Sequence, residues 1–118
     1  MAKFPKREGF DAAVERFLTG VRAANAEYFK RFENLTPDEY RLDPLQRYLR
    51  ITRTTIHERD GVKTDNQTMV FCFIEYTTGL VFKPEGWKKP AKHARGDIFS
   101  DQHGMEAVSR PQMCIRYL

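Results

Sequence analysis

The apolar residues of this chain change their spacing once, between residues 32 and 47, and that change dictates the fold class. From Phe10 onward Val14, Phe17, Leu18, Val21, Tyr28, Phe29 and Phe32 recur at steps of three and four, with Ala24 near the gap. Glu15, Arg16, Arg22, Glu27, Lys30 and Arg31 fall mostly on the opposite side. The spacing predicts one amphipathic helix of about 20 residues, roughly 30 Å long, with Asp11 favouring the positive end of its dipole. From Arg47 to Glu58 (RYLRITRTTIHE) the chain becomes rich in β-branched residues and mixes apolar with polar positions, as a strand with one wet face does. Thr68 to Thr77 (TMVFCFIEYT) is apolar on both faces and predicts a central strand. A turn at Thr77-Thr78-Gly79 leads to a third strand, Leu80 to Lys83, giving an antiparallel meander. A fourth strand, Met113 to Leu118 (MCIRYL), is expected to pair with that meander.

Weaker local signals fill the gaps. Thr36-Pro37-Asp38-Glu39 has the form of a capping box with proline in the first turn, and predicts a short second helix ending near Leu42, before Pro44. ERDGVKTDNQ reads as a loop in which Asp60-Gly61 takes positive φ. Residues 1–9 are polar and expected to be loosely held, and 84–110 shows no regular period, predicting a long irregular segment. Helices preceding a block of strands indicate an α+β fold. The expectation is a single domain, 1–118, with one long amphipathic helix and a short second helix packed on a small, mainly antiparallel sheet of about four strands.

Hydrophobic residues at 41% and aromatics at 13% exclude a disordered chain. MAKFPKREGF carries positive charge but no apolar core of a signal peptide, and the run Met69 to Ile74 is too short to span a bilayer. These features predict no membrane association and a cytoplasmic protein. Cys72 and Cys114 each sit in an apolar run and read as buried thiols of a reducing compartment.

Charge is concentrated in one place. KPEGWKKPAKHAR, from Lys83 to Arg95, holds five basic residues and one acid, a charge of +4 that equals the formal net charge of the whole chain. Lys83, Lys88, Lys89, Lys92 and Arg95 can neutralise phosphates, and Trp87, the only tryptophan, can stack on a base. Pro84, Gly86 and Pro90 bend the backbone there. The alternative is that Trp87 packs on the sheet to anchor a loop whose lysines are merely solvated. A second basic strip, Arg47, Arg53 and Arg59, occupies odd positions of the first predicted strand, with Arg50 on the other face and Thr52 and Thr54 as hydroxyl donors. Cross-strand pairing with acids such as Glu75 is the competing use of those arginines.

His93, Asp97, Asp101 and His103 form the one cluster with the chemistry for a divalent ion, and turn formation is its structural alternative. No zinc pattern and no glycine-rich phosphate loop is present, and His57, Cys72, Ser100 and Ser109 lack the context of a nucleophile. The absence of a catalytic signature weighs against an enzyme, and no cofactor is expected.

Gly79-Leu80-Val81-Phe82-Lys83-Pro84, followed by Gly86-Trp87-Lys88, Pro90-Ala91-Lys92, Ala94-Arg95-Gly96 and Ile98-Phe99, resembles a segment of small, mostly uncharacterised bacteriophage proteins. There a hydrophobic strand leads into K-P-x-x-W-K-x-P-A-K-x-A-R-G-x-I. The resemblance covers about 20 of the 118 residues and implies a viral accessory protein, acting in the host cytoplasm, without specifying an activity. The function expected is therefore non-enzymatic binding of nucleic acid, single-stranded or nonspecific, or of another polyanion. Lys83, Trp87, Lys88, Lys89, Lys92 and Arg95 would make the contact, helped by Arg47 and Arg53. A structural or assembly module that docks on an acidic protein is one alternative. A metal-dependent, nuclease-like enzyme using His93, Asp97, Asp101 and His103 is the other. A homodimer is expected because so small a sheet has edges to hide.

Overall fold

The computed structural model describes residues 5–32, 35–109 and 114–115. One helix, α1 (Phe10–Phe29), packs across one face of a five-stranded antiparallel sheet: β1 (Thr36–Pro44), β2 (Tyr48–Arg59), β3 (Val62–Glu75), β4 (Leu80–Pro84) and β5 (Pro90–Asp97). The strands follow one another in space as in sequence, so the fold is a meander with a helix laid over it. A short 3₁₀ turn (Met105–Ala107) and a two-stranded ribbon, β6 (Val108–Ser109) with β7 (Cys114–Ile115), complete the helix side of the core. Among the described residues no helix is long and apolar enough to cross a membrane.

The three-and-four spacing of α1 delivers what it predicts through its first three turns. Phe10, Ala13, Val14, Phe17, Leu18 and Val21 are buried against Leu49, Ile51, Cys72 and Ile74 of the central strands. Further along, the stripe leaves the core: Tyr28, Phe29 and Phe32 stack on one another at 5.5–6.3 Å, and Phe32 stays exposed. Gly9 occupies the N-cap, with φ 80°, and Asp11 stands in the first turn as the dipole favours, where it also pairs with Lys6. Residues 5–9 are not loose throughout, because the Arg7 amide donates to the Tyr76 carbonyl at 2.8 Å and its guanidinium lies 4.0 Å from the Phe99 ring centroid.

Three elements differ from the sequence reading, each for a tertiary reason. Thr36–Pro44 is an edge strand and not a second helix. Its burial alternates, with Asp38 and Tyr40 turned inward, and Pro37 falls at the register shift between Thr36 and Glu39, where no ladder donor is needed. Asp38 is what commits the segment. Its carboxylate accepts from Asn25 Nδ2 at 3.0 Å and Arg53 Nε at 2.8 Å, and its amide donates to Asn25 Oδ1 at 2.9 Å. A helix over the same residues would leave Asn25, buried in α1, without these partners.

The predicted loop ERDGVKTDNQ contracts to the two residues Asp60 and Gly61, both at positive φ (53° and 77°), and Val62–Gln67 continue β3. That dipeptide joins strands through the two-residue turn that matches sheet twist. The segment 84–110 contains β5, which its proline, glycine and lysine content conceals. Register shifts on both sides of Phe82 make β5 irregular in its pairing with β4. The expected four strands thus become five, and the described part of the last one, Cys114–Ile115, pairs with β6 and not with the meander. The remainder of Met113–Leu118 lies outside the described residues.

After β5 the chain is held by one carboxylate. Glu106 accepts from the Asp97 amide at 2.9 Å and the Ser100 hydroxyl at 2.7 Å. Burial raises the pKa of Glu106, but these bonds, with its own amide and that of Gly104, outweigh it and hold the group below its ordinary value. Gly79 closes the same corner: at φ 80° it brings its α-carbon so near Phe99 that a Cβ would lie 2.5 Å from the ring.

Two measurements by chemical denaturation check this account. Asp38→Ala, which strands Arg53 and Asn25, is expected to cost about 3 kcal/mol. Tyr40→Phe should leave stability unchanged or raise it by up to about 1 kcal/mol, because the buried Tyr40 hydroxyl lies near Asn25 but makes no well-formed hydrogen bond among the described residues. A third follows from Glu106. Its lowered folded pKa means that its contribution is complete above the ordinary carboxylate range and fades as pH falls through the folded value. Glu106→Gln should therefore cost about 1–2 kcal/mol at neutral pH, with the difference shrinking below roughly pH 4.

Candidate nucleic-acid interface

The helix covers only one face of the sheet. Alternation along β2 and β3 places Leu49, Ile51, Cys72 and Ile74 beneath α1, and therefore places Tyr48, Arg50, Phe73 and Glu75 on the other face. Register confirms the assignment, with Arg50 opposite Phe73, Tyr48 opposite Glu75, and Phe73 opposite Phe82 of β4. Phe73 is fully buried there without help from the helix. Tyr48 packs edge-on against both Phe73 and Phe82, at 6.0 and 5.8 Å, and Tyr48 and Phe82 themselves remain half-buried.

The β4–β5 loop, Glu85 to Lys89, stands at the edge of this aromatic face. It is closed by the Glu85 and Gly86 amides, which donate to the Lys89 carbonyl at 3.0 and 3.1 Å. Arg50 ties the loop to the sheet: its Nη1 donates to the Trp87 carbonyl at 2.6 Å and its guanidinium lies 5.4 Å from the Trp87 ring centroid. The other side of Arg50 is held by Asp43 of β1, through Nε at 3.0 Å and a closer contact from Nη2. One mostly buried arginine thus spans the face from β1 to the loop, and it anchors the Trp87 backbone. The indole itself is 51% exposed. Anchoring by burial of the ring, the structural alternative for Trp87, is therefore not how the loop is held.

The basic residues divide between two places. Lys88, Lys89 and Lys92 are exposed, and the Lys89 ammonium is only loosely matched by Glu85 at 3.8 Å. Arg47 joins the aromatic face, with its guanidinium 5.3 Å from the Tyr48 ring centroid and two bonds to Glu75 at 3.2 and 3.0 Å. Arg95 is half-buried and donates to the His93 carbonyl. Lys83 alternates with Phe82 and falls on the helix side, where it lines a small cleft with Arg53, Met69, Pro84 and Ile115. Arg53 is bound to buried Asp38. The second basic strip does not form as the odd-position pattern predicts, because Arg47 precedes β2 and turns to Tyr48 and Glu75 on the open face, whereas Arg53 follows Leu49 and Ile51 to the helix side and is taken up by Asp38.

The four metal candidates do not converge. Among the described residues no group of three or more His, Cys, Asp or Glu side chains could hold a metal ion. Asp97 Oδ1 instead accepts the Phe99 amide at 2.9 Å, while His103 adopts φ 56° in a turn that its amide closes on the Ser100 carbonyl. His93 and Asp101 are exposed. Turn formation accounts for this segment. Cys72 is fully buried, and burial pushes its thiol pKa far up, so it supplies no nucleophile. What the sequence reading missed is the aromatic platform. Tyr48, Phe73 and Phe82 lie on three different strands, and only the register brings them together.

Comparison with curated proteins and with solved structures gives no match. Residues 7–118 match a family of unknown function (DUF7717), and the chain belongs to that family.

Proposed function

We propose that the protein is a non-enzymatic accessory protein that binds nucleic acid, single-stranded in preference to double-stranded, at the loop bearing Trp87. One observation carries the reading: Trp87 is half exposed at the edge of an aromatic sheet face, flanked by Lys88 and Lys89, with its backbone fixed by Arg50. A base presents a π-face whatever its identity, so an exposed indole held on a rigid hairpin is a sequence-tolerant stacking surface. The lysines beside it supply phosphate neutralisation without base specificity. Duplex DNA keeps its bases stacked on one another and offers the indole no free face. Tyr48 and Phe82 extend the surface across the sheet, and Arg47 adds a guanidinium over Tyr48. Lys83 and Arg53 contribute on this reading only if a strand passes round the β4 edge to the helix side, so they are secondary. The likeness of the Lys83–Arg95 segment to bacteriophage proteins supports a phage-encoded protein working in the host cytoplasm.

Trp87 is the sole tryptophan, so fluorescence excited selectively at tryptophan reports on this site alone. Titration with single-stranded DNA or RNA oligomers at low salt should quench it, and affinity should fall linearly with the logarithm of salt concentration. Replacing Lys88, Lys89 and Lys92 together by alanine should reduce the salt slope by about 2, at roughly 0.7 per phosphate contact. Trp87→Ala should cost about 1–3 kcal/mol of binding, measured by gel shift or anisotropy, with little effect on its salt dependence. Absence of binding to any single-stranded oligomer at low salt overturns the proposal.

A further inference from the structure

The β2–β3 hairpin extends beyond the rest of the sheet. β1 follows β2 only as far as Ile56, and β4 pairs with β3 only at Phe73 and Ile74. From His57 to Met69 every residue of the hairpin is exposed. Along Val62–Thr68 the outer edge of β3 therefore has no strand beside it among the described residues. At about 3.4 Å per residue this is an open edge of roughly 24 Å, and it carries no proline to block pairing. An edge of backbone donors and acceptors accepts another strand by augmentation.

The charges along the arm say which strand. Lys63 makes no ion pair among the described residues and is exposed. Two positions on, and hence on the same face, Asp65 is bound by Arg41 at 2.9 and 3.0 Å, and Arg41 also bonds Glu39 at 2.6 Å. That trio holds two carboxylates and one guanidinium, a net charge of −1 beside an unmatched lysine. When the same edge meets itself antiparallel with the two-fold axis at Thr64, Lys63 of each copy stands directly opposite Asp65 of the other. Both trios are then neutralised, and the regular pairing runs from Val62 to the β-bulge at Asn66. An isologous contact of this kind closes on itself and exposes no further edge.

We infer that the protein forms a two-fold dimer by antiparallel pairing of the outer part of the β3 edge, Val62–Asn66, with the same edge of a second copy. The surface is remote in sequence from the Trp87 loop, and the inference stands whether or not that loop binds nucleic acid. The arm itself carries a net charge of −1, with Arg59 and Lys63 set against Glu58, Asp60 and Asp65, which fits a partner of its own kind with mixed charges better than a polyanion.

Sedimentation of the full chain over a concentration series tests this. The expected result is a monomer–dimer equilibrium for the unsubstituted protein, with Lys63→Glu and Asp65→Lys each weakening association roughly tenfold by placing like charges across the axis twice. Mixing the two variants should restore a heterodimer, because position 63 of one then faces position 65 of the other with opposite sign in both pairs. Both sites are exposed surface positions, and circular dichroism of each variant checks that the fold is retained. A protein that is monomeric throughout the series overturns the inference. So does a dimer indifferent to both substitutions, or one weakened by each but not restored on mixing.

Discussion

The apolar stripe of α1 can be buried only against a continuous apolar face, and Leu49, Ile51, Cys72, Ile74 and Val81 supply it from three adjacent strands. Each of these side chains removes something like 1.5–3 kcal/mol worth of apolar surface from water, so this contact sets the polarity of the whole sheet. Once the helix has taken one face, strict alternation sends Tyr48, Arg50, Phe73 and Phe82 to the other. Among the described residues there is no second helix to cover them. The chain covers that face with its own side chains, burying Phe73 under neighbouring rings and Arg50. The partly open aromatic platform beside the proposed site is thus a consequence of having one helix for a two-faced sheet.

Polar contacts decide what the hydrophobic contact leaves open. Asn25 is buried on α1 and must be satisfied, and Asp38 satisfies it only with β1 extended. Arg53 then neutralises Asp38 on the helix side, where alternation with Leu49 and Ile51 puts it, which withdraws that arginine from a basic strip on the surface. Arg50 works in the opposite direction. It is held by Asp43, reaches the Trp87 carbonyl, and fixes a loop whose indole remains available. Two arginines three residues apart on one strand therefore serve different ends: one closes the core edge, the other orients the candidate site.

The basic loop was visible in the sequence because charge and a single tryptophan need no partner to be counted. Its use was not, since Trp87 could equally have been buried as an anchor, and the choice rests on Arg50, far away along the chain. The His/Asp cluster shows the reverse case. Spacing allowed His93, Asp97, Asp101 and His103 to converge, yet Asp97 is engaged by the Phe99 amide and the histidines stay apart. Glu106, which organises that region, had no motif at all, because its partners are a backbone amide and a serine hydroxyl placed by folding.

What the sequence determined by itself was whatever depends on periodicity within one segment: the α1 stripe, the apolar run of β3, the Asp60-Gly61 turn and the α+β order of elements. These follow from backbone geometry acting over neighbouring residues, which a single segment already contains. Tertiary structure decided the rest. It made Thr36–Pro44 a strand, carried β3 on to Val62, found β5 within an irregular-looking stretch, and assembled Tyr48, Phe73 and Phe82 into one surface. Each of those outcomes depends on a partner distant in sequence, namely Asn25 for β1, the β2 ladder for β3, and β4 for β5. Strand pairing and buried hydrogen bonds are non-local, and local propensity carries no record of who the partner is.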